Sequence, residues 1–199
     1  ANSQKVPITT RGAGLGKSGG AIPEVDGLVL SLEKMNQVID FDINNQCITV
    51  EPGVITDKIK LIANEYGLFY PPDPSSSDWC TIGGNIAANS GSSNALKYGV
   101  TGDYVLGLEG FFGNGEQFKL GGKNLKDVAG YDLNRLIVGS EGTLAIITKI
   151  ILKLIPKPKA EKSLWCTLDS IQDACKFLQT ISRSAIRPAA VEFLEKACV

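Results

Sequence analysis

Three segments of this chain are unusually rich in glycine and other small residues, and they constrain its fold more than any other feature. They are residues 11–20 (RGAGLGKSGG), 81–91 (TIGGNIAANSG) and 139–143 (GSEGT). Glycine lacks a Cβ atom and tolerates positive φ, so such loops bring the main chain close to a ligand. Rows of unpaired backbone N–H groups in them form concave sites for anions such as a diphosphate. We therefore predict a large polyanionic ligand that is approached from several sides.

The length and charge of the chain narrow the class of protein. Its 199 residues are enough for one domain with a buried core and part of a second domain. The net charge of −1 offers no basic surface of the kind that nucleic-acid-binding proteins use, so no nucleic-acid partner is predicted. No apolar run reaches the roughly 18 residues that span a bilayer, so no transmembrane segment is predicted.

Histidine and cysteine usage excludes several kinds of active site. The sequence contains no His, and its five Cys residues are widely spaced without a Cys-x-x-Cys pair. The absence of His excludes Ser-His-Asp and Cys-His triads, and imidazole zinc sites, within these residues. We predict no metal site, and we interpret the cysteines as reduced thiols of a cytoplasmic protein.

Hydrophobic spacing and turn residues predict a mixture of strands and helices up to residue 155. Turns at Asn44–Asn45 and Asn114–Gly115 each lie between two predicted strands and indicate hairpins. Helical spacing predicts a helix over 55–66 that is followed by Gly67. The predicted strands are 6–9, 27–32, 38–42, 47–51, 104–112, 116–120 and 145–155, and two short helices are predicted at 83–89 and, capped by Asp132, at 132–138.

Residues 156–160 (PKPKA) are typical of a boundary because they combine two prolines with two lysines. After them the pattern predicts a strand at 164–168, a helix at 171–182 and a strand at 190–194. One such unit is too small to hold its own core. We therefore predict two domains, 1–158 and 159–199, and interpret the second as the start of a further domain.

The first glycine segment is compatible with several kinds of loop. Gly16–Ser18 resembles the end of a Walker loop, but Arg11 stands where that motif needs glycine and no helix is predicted after it. Gly14-x-Gly16-x-x-Gly19 matches a dinucleotide fingerprint, yet a strand follows it. The flanking strands favour a strand–loop–strand cradle whose N–H groups, from Gly12 to Gly16, face a diphosphate. A flexible loop without a ligand is the remaining alternative.

The second glycine segment follows a stiff, proline-rich stretch at 70–74 (YPPDP). Its small side chains permit close approach of a flat ring, and Asn85, Asn89 and Ser90 offer polar edges. The alternative is a surface loop with a short helix.

Taken in order, these motifs resemble the FAD-binding domain of the vanillyl-alcohol oxidase superfamily, the PCMH type. The resemblance is greatest to the branch that contains the flavin subunit of glycolate oxidase and D-lactate dehydrogenase. The motifs are 7–14 (PITTRGAG), 18–23 (SGGAIP), 50–53 (VEPG), 71–74 (PPDP), 82–85 (IGGN), 98–99 (YG), 130–133 (GYDL) and 139–143 (GSEGT). Their common order makes the resemblance specific, whereas no single motif would.

The resemblance implies an α+β fold of two α/β subdomains with FAD between them, followed by the start of a ferredoxin-like cap domain. It implies that the first segment holds the diphosphate, the second lines the flavin and ribityl chain, and the third lies near the adenosine. The implied FAD-binding residues are Arg11, Gly12, Ala13, Gly14, Leu15, Gly16, Ser18, Pro72, Thr81, Gly83, Gly84, Asn85, Asn89, Ser90, Gly91, Gly99, Gly142, Ala145 and Ile146. Leu15 departs from the family, which usually has threonine there.

The family oxidises a hydroxyl-bearing carbon, typically of a 2-hydroxy acid such as glycolate or D-lactate, by hydride transfer to flavin. The resemblance leaves the electron acceptor open, and it is compatible with partner subunits and with a cytoplasmic enzyme attached to a membrane through an acceptor complex. The catalytic base and metal ligands come mainly from the cap in this family, so no catalytic residue is assigned. We interpret Asp73, Asp132 and Glu141 as turn or cap residues.

Some members of the family attach flavin covalently through histidine. Because this sequence has none, we expect non-covalent FAD unless Cys80, beside the second segment, serves instead. We also expect the chain to begin after a βαβ segment that relatives carry. The alternatives are a reductase that forms UDP-N-acetylmuramate with NADPH and FAD on the same fold, a non-catalytic flavin-binding or flavin-free scaffold, and a Walker-type nucleotide triphosphatase.

Overall fold

A computed structural model describes residues 1–23 and 26–195, and a five-stranded sheet forms the centre of the fold. The strands are β1 (Ile8–Arg11), β2 (Leu28–Ser31), β3 (Val38–Asp42), β4 (Cys47–Val50), β5 (Leu68–Phe69), β6 (Val105–Phe112), β7 (Gln117–Gly121), β8 (Ala145–Lys153) and β9 (Ile155–Pro156). The central sheet has the order β3-β4-β8-β6-β7, and its neighbouring strands are antiparallel. Such a sheet can be built largely from hairpins.

Most of the helices lie between the strands, and the last one follows them. The helices are α1 (Thr56–Glu65), α2 (Ile82–Ala88), α3 (Ala95–Tyr98), α4 (Leu133–Ile137) and α5 (Ile171–Arg183), with 3-10 turns at Asn2–Gln4 and Thr101–Tyr104. The predicted helix after Ile55 is confirmed, and Gly67 follows it with a φ of +68°. Within the described part of the chain, no helix combines the length and apolar character that crossing a membrane requires.

Two smaller pairings lie outside the central sheet. Strands β1 and β2 are parallel, with Ile8 opposite Leu28 and Arg11 opposite Ser31. The described residues between them, 12–23 and 26–27, form no helix, which confirms the strand–loop–strand prediction and removes the structural context that a Walker loop needs. Strands β5 and β9 form a short antiparallel pair.

One cluster of buried apolar side chains joins the central sheet to the helices. It includes Ile48 and Ile150 on adjacent strands, Ile59 on α1 and Ile82 on α2, all fully buried. Burying such a side chain stabilises the fold by roughly 1.5–3 kcal/mol. The core therefore fixes α1 and α2 against the sheet.

Predictions that rest on local turn chemistry are confirmed. The Asn44–Asn45 turn joins β3 to β4, and the Asn114–Gly115 turn joins β6 to β7. Asp132 accepts a hydrogen bond from the Arg135 N–H at 3.1 Å and caps α4, as predicted. The α+β class follows from this mixture of an antiparallel sheet with separate helices.

The two strands predicted after residue 160 are wrong. Residues 164–168 and 190–194 have no strand structure, whereas the helix between them is confirmed as α5. A strand needs a neighbour for its backbone N–H and C=O groups, and none of the described residues pairs with these segments. Leu164 and Trp165 are 92% and 77% exposed, so their apolar pattern is not matched by burial here. The boundary at residue 158 stays a prediction.

Candidate cofactor-binding site

The three glycine-rich segments meet at one open cleft. Its walls come from the loop after β1, from α2 with its flanking residues, and from the turn between α4 and β8. Segments that are distant in sequence thus face a single open space.

The structure brings most of the predicted site residues to this cleft. Those that line it are Arg11, Gly12, Ala13, Gly14, Leu15, Gly16, Thr81, Gly83, Gly84, Asn85, Ser90, Gly142 and Ala145. Those that do not line it are Ser18, Pro72, Asn89, Gly91, Gly99 and Ile146. The contact of each residue with FAD stays a prediction.

Two of the residues outside the cleft have structural partners. The Asn89 side-chain oxygen accepts a hydrogen bond from the Gly102 N–H at 2.9 Å, and Asn89 ends α2 with a φ of 47°. Gly99 has a φ of +83°, and a Cβ there would overlap the Asp103 carboxylate. Both residues therefore serve the backbone around the 3-10 turn at Thr101–Tyr104.

Other residues that line the cleft were not among the implied FAD-binding residues, although Cys80 and Glu141 were considered for other roles. They are Thr10, Gly20, Ala21, Leu32, Pro52, Ser76, Cys80, Ala87, Ala88, Ser140, Glu141 and Ile147. Ala87 and Ser140 belong to the glycine-rich segments, so they would have been predicted if every residue of each segment had been assigned to the site. Leu32 reaches the cleft only through tertiary packing, and no local signal marks it. Pro52 lies in the 50–53 motif, but no contact was assigned to it.

The first and second segments touch at Gly12 and Thr81. A Cβ at Gly12 would overlap Thr81 Oγ1, and a Cβ at Gly84 would lie 3.3 Å from the same oxygen. Thr81 is only 2% exposed, and its Oγ1 has no hydrogen-bond partner within the described ranges. Buried hydroxyl groups are normally hydrogen-bonded. The unpaired Oγ1 atom is therefore enclosed at a tight junction between the two segments.

The third segment is fixed to the end of α2. The Gly139 and Glu141 N–H groups donate to the carbonyl oxygens of Ile86 and Ala87, each at 2.9 Å. The Ile86 carbonyl oxygen also accepts from the Asn89 N–H at 3.1 Å, so the turn adds partners to the last carbonyls of α2. Gly142, with a φ of +77°, lies so near β1 that a Cβ there would be 2.7 Å from Thr10 Oγ1. The cleft is therefore closed at this end by backbone.

Arg11 is paired within the protein. Its Nη2 lies 3.1 Å from Glu33 Oε2, to which the Ser31 hydroxyl also donates at 2.8 Å. The Ser31 hydrogen bond and then the Arg11 guanidinium lower the pKa of Glu33. This carboxylate therefore partly compensates the positive charge of Arg11 at the cleft.

The acidic residues considered from the sequence differ in their surroundings. Asp73 lies 2.5 Å from Lys60 Nζ, and Asp132 caps α4. Glu141 lines the cleft and has a φ of 53°. In the described part of the chain, no group of three or more His, Cys, Asp or Glu side chains is placed to hold a metal ion.

The features of the cleft fit FAD. Its walls are glycine-rich backbone, which can approach a diphosphate closely, and small side chains, which leave room for a flat ring. Asn85 and Ser90 supply polar side chains to the wall formed by the second segment. The residues present are therefore suited to this cofactor.

Comparison with known proteins supports FAD as the ligand of this cleft. A family model described as "FAD binding domain" matches residues 1–121. The chain is 50% identical over 196 residues to glycolate oxidase subunit GlcD of Bacillus subtilis (strain 168), covering 98% of this chain and 42% of that protein. It is 40% identical over 199 residues to D-lactate dehydrogenase of Archaeoglobus fulgidus, covering 100% of this chain and 44% of that protein. The chain thus spans less than half the length of these relatives.

A solved structure gives the same result for the fold. An alkyldihydroxyacetonephosphate synthase superposes with a TM-score of 0.78 at 26% identity, covering 96% of this chain and 35% of that one. The predicted PCMH-type FAD-binding fold is confirmed. Since the family model covers more than half of the 199 residues and the glycine-rich segments share one cleft, the chain belongs to the FAD-binding domain family and its cofactor is FAD.

Proposed function

We propose that the protein is an FAD-dependent oxidoreductase that oxidises a 2-hydroxy acid of the glycolate or D-lactate type to the corresponding 2-oxo acid. The observation that carries this proposal is the single cleft shared by the three glycine-rich segments. The substrate class is supported by the relatives, whose names are those of a glycolate oxidase component and of D-lactate dehydrogenases.

Different segments of the chain would hold different parts of FAD. Backbone N–H groups from Gly12 to Gly16 bind the diphosphate, because they lie in a loop with few side chains. The small residues of α2 let the flavin ring pack against the helix. When bound, FAD accepts the hydride from the hydroxyl-bearing carbon, while the protein places the reactants and excludes water.

The hydroxyl proton needs a base, and we assign none within this chain. Asp73 and Asp132 are occupied by structural partners, and Glu141 is fixed in a backbone turn. Since the chain spans less than half of its relatives, we propose that the base belongs to the remaining part of the protein.

We further propose that FAD is held without a covalent bond, because the sequence has no His and the Cys80 thiol is buried against Thr56 Oγ1 at 3.3 Å. Residues 1–158 form the cofactor domain in this proposal, and 159–199 begin the substrate domain. The name of the Bacillus subtilis relative, which calls it a subunit, supports partner subunits through which electrons leave. Free thiols at Cys47, Cys80, Cys166 and Cys175 support a cytoplasmic protein, attached to a membrane only through such partners.

Anaerobic reduction of the bound flavin tests the proposed activity. The full-length protein is mixed with glycolate, D-lactate, L-lactate or D-2-hydroxyglutarate, and the visible flavin absorbance is followed. We expect at least one of these acids to bleach the flavin with formation of one equivalent of its 2-oxo acid. Acid precipitation in the same experiment should release the flavin into solution.

Two controls make the result decisive. Dithionite must bleach the flavin, so that a failure of every hydroxy acid contradicts the proposed substrate class and not the presence of flavin. Bleaching by NADPH alone would instead support the reductase that acts on the same fold.

A further inference from the structure

A buried polar network lies directly beneath the cleft. Thr56 is fully buried, Asn85 is 3% exposed and Cys80 is 6% exposed. Asn85 and Cys80 line the cleft, whereas Thr56 does not. Polar groups that are buried this deeply are normally hydrogen-bonded to one another. Thr56 contacts both of these cleft residues, but it does not itself reach the space that a ligand would occupy.

The backbone holds Thr56 firmly in this position. Thr56 is the first residue of α1, where the N–H has no partner inside the helix. That N–H donates to the Cys80 carbonyl oxygen at 3.1 Å. Next to it, the Ile82 N–H donates to the Val54 carbonyl at 2.8 Å, so the two chain segments run side by side. The position of the Thr56 hydroxyl is thus set by the main chain.

The Thr56 hydroxyl fixes the orientation of the Asn85 amide. Asn85 Nδ2 donates to Thr56 Oγ1 at 2.6 Å. Having accepted this bond, the hydroxyl directs its own hydrogen toward Cys80, whose Sγ lies at 3.3 Å and whose carbonyl oxygen lies at 3.4 Å. The amide nitrogen is therefore committed to Thr56, and the amide oxygen turns to the other side.

The Asn85 Oδ1 atom is left as an acceptor. It makes no hydrogen bond to any residue that the structure describes. Unlike Thr81 Oγ1, this oxygen is not completely enclosed by protein atoms. We propose that Thr56 is a positioning residue, which holds the Asn85 amide so that its oxygen accepts a hydrogen bond from an N–H group of FAD. This inference rests on the proposed placement of FAD in the cleft. The N–H donor belongs to the flavin ring or to the adenine, since both carry one.

A mutational cycle tests the proposal in the full-length protein. The variants are T56V, which replaces the hydroxyl by a methyl group, T56S, which keeps it, N85A, and T56V/N85A. T49V is the matched control, because Thr49 is a buried threonine of β4 that does not line the cleft. The measurements are the Kd for FAD added to apoprotein, the visible spectrum of the bound flavin, and the thermal unfolding midpoint. T56A is a second variant without the hydroxyl, should T56V unfold.

We expect T56V to weaken FAD binding by roughly three- to tenfold, the range of one hydrogen bond. T56S and T49V should stay within about twofold of the wild type, below the loss of one such bond. In the N85A background, T56V should have little further effect, because Thr56 acts through Asn85. A shifted visible band in T56V identifies the flavin ring as the donor, and an unshifted band identifies the adenine.

Two results would overturn the inference. One is FAD binding by T56V and T56A that equals that of the wild type. The other is a loss in T56V of the same size with and without Asn85, which would indicate a general structural effect. If the wild-type protein itself binds no FAD, the placement of the cofactor fails, and that result is distinct from either of these.

Discussion

Gly12 and Thr81 lie so close together that a Cβ atom at Gly12 would overlap Thr81 Oγ1. This contact joins the loop after β1 to the start of α2, and both residues line the cleft. We expect Gly12→Ala to destabilise the fold by about 1–3 kcal/mol, because the loop and Thr81 must move apart. The free energy of unfolding in urea measures this cost.

A double variant shows whether the contact is the cause. Thr81→Ala removes the overlapping oxygen, so it should restore part of the stability that Gly12→Ala loses. Gly113→Ala is the control, because no atom lies within 4 Å of a Cβ at that position. Equal losses for Gly12→Ala with and without Thr81→Ala would contradict this explanation.

Gly53 lies against three backbone carbonyl oxygens of the β2–β3 connection. A Cβ there would lie 2.7 Å from Met35 O and 2.8 Å from Glu33 O, and it would overlap Leu32 O. Backbone atoms cannot rotate away as a side chain can. We expect Gly53→Ala to cost about 3 kcal/mol or more, measured by thermal and urea unfolding. Gly122→Ala, with no atom within 4 Å of its Cβ, should be close to neutral, and a similar loss in both variants would argue against this mechanism.

Tyr70 and Tyr104 pack edge to face with ring centroids 5.8 Å apart, but their hydroxyl groups differ. Tyr104 Oη donates to the Tyr98 carbonyl oxygen at 2.9 Å. Among the described residues, the buried Tyr70 Oη makes no well-formed hydrogen bond and has only a weak contact with the Thr101 side chain. We therefore expect Tyr104→Phe to lose about 1 kcal/mol of stability and Tyr70→Phe to be neutral or stabilising. Urea denaturation curves of the two variants and the wild type measure these differences in the free energy of unfolding. The reverse order would show that Tyr70 Oη has a partner in solution.

Lys60 joins α1 to the segment before the second glycine-rich loop. Its Nζ lies 2.8 Å from Asp57 Oδ1 and 2.5 Å from Asp73 Oδ1. Burial lowers the pKa of Lys60, but the hydrogen bonds to these carboxylates outweigh it and the pKa is raised. The Lys60 and Ser77 hydrogen bonds lower the pKa of Asp57 below its ordinary value of 3.8.

These shifts predict a pH-dependent effect of Lys60→Met. The stabilisation from Asp57 is present above pH 3.8 and is lost as the pH falls through its lowered folded pKa. Near neutral pH we expect the variant to lose up to about 1 kcal/mol, because the pair is partly exposed. The difference from the wild type should shrink in unfolding measurements at about pH 2.5. A difference that grows in acid would contradict the assignment.

Much of the fold could be predicted because its signals are local. The turns at Asn44–Asn45 and Asn114–Gly115 and the cap at Asp132 depend on a few adjacent residues, and each forms as predicted. Residues 164–168 and 190–194 have the composition of strands, but a strand also needs a partner that no local pattern can supply.

The sequence predicts which segments form the candidate site, but not which residues of each segment face the cleft. Gly12 and Thr81 stand out as glycine-rich loop residues, and both line the cleft. Asn89 has a similar local signal, yet its side chain turns away to the Gly102 N–H. Leu32 carries no such signal and still reaches the cleft. Which side of a segment faces the ligand is decided by tertiary packing, and composition does not encode it.

Equilibrium titration of FAD into the full-length apoprotein tests the central claim most directly, namely that the three glycine-rich segments form one FAD-binding cleft. We predict saturable binding of one FAD per chain, and its loss in Gly84→Phe, which fills the cleft, but not in Gly113→Phe, where space is open. Failure of the wild-type protein to bind FAD, or equal binding by wild type and Gly84→Phe, would contradict the account.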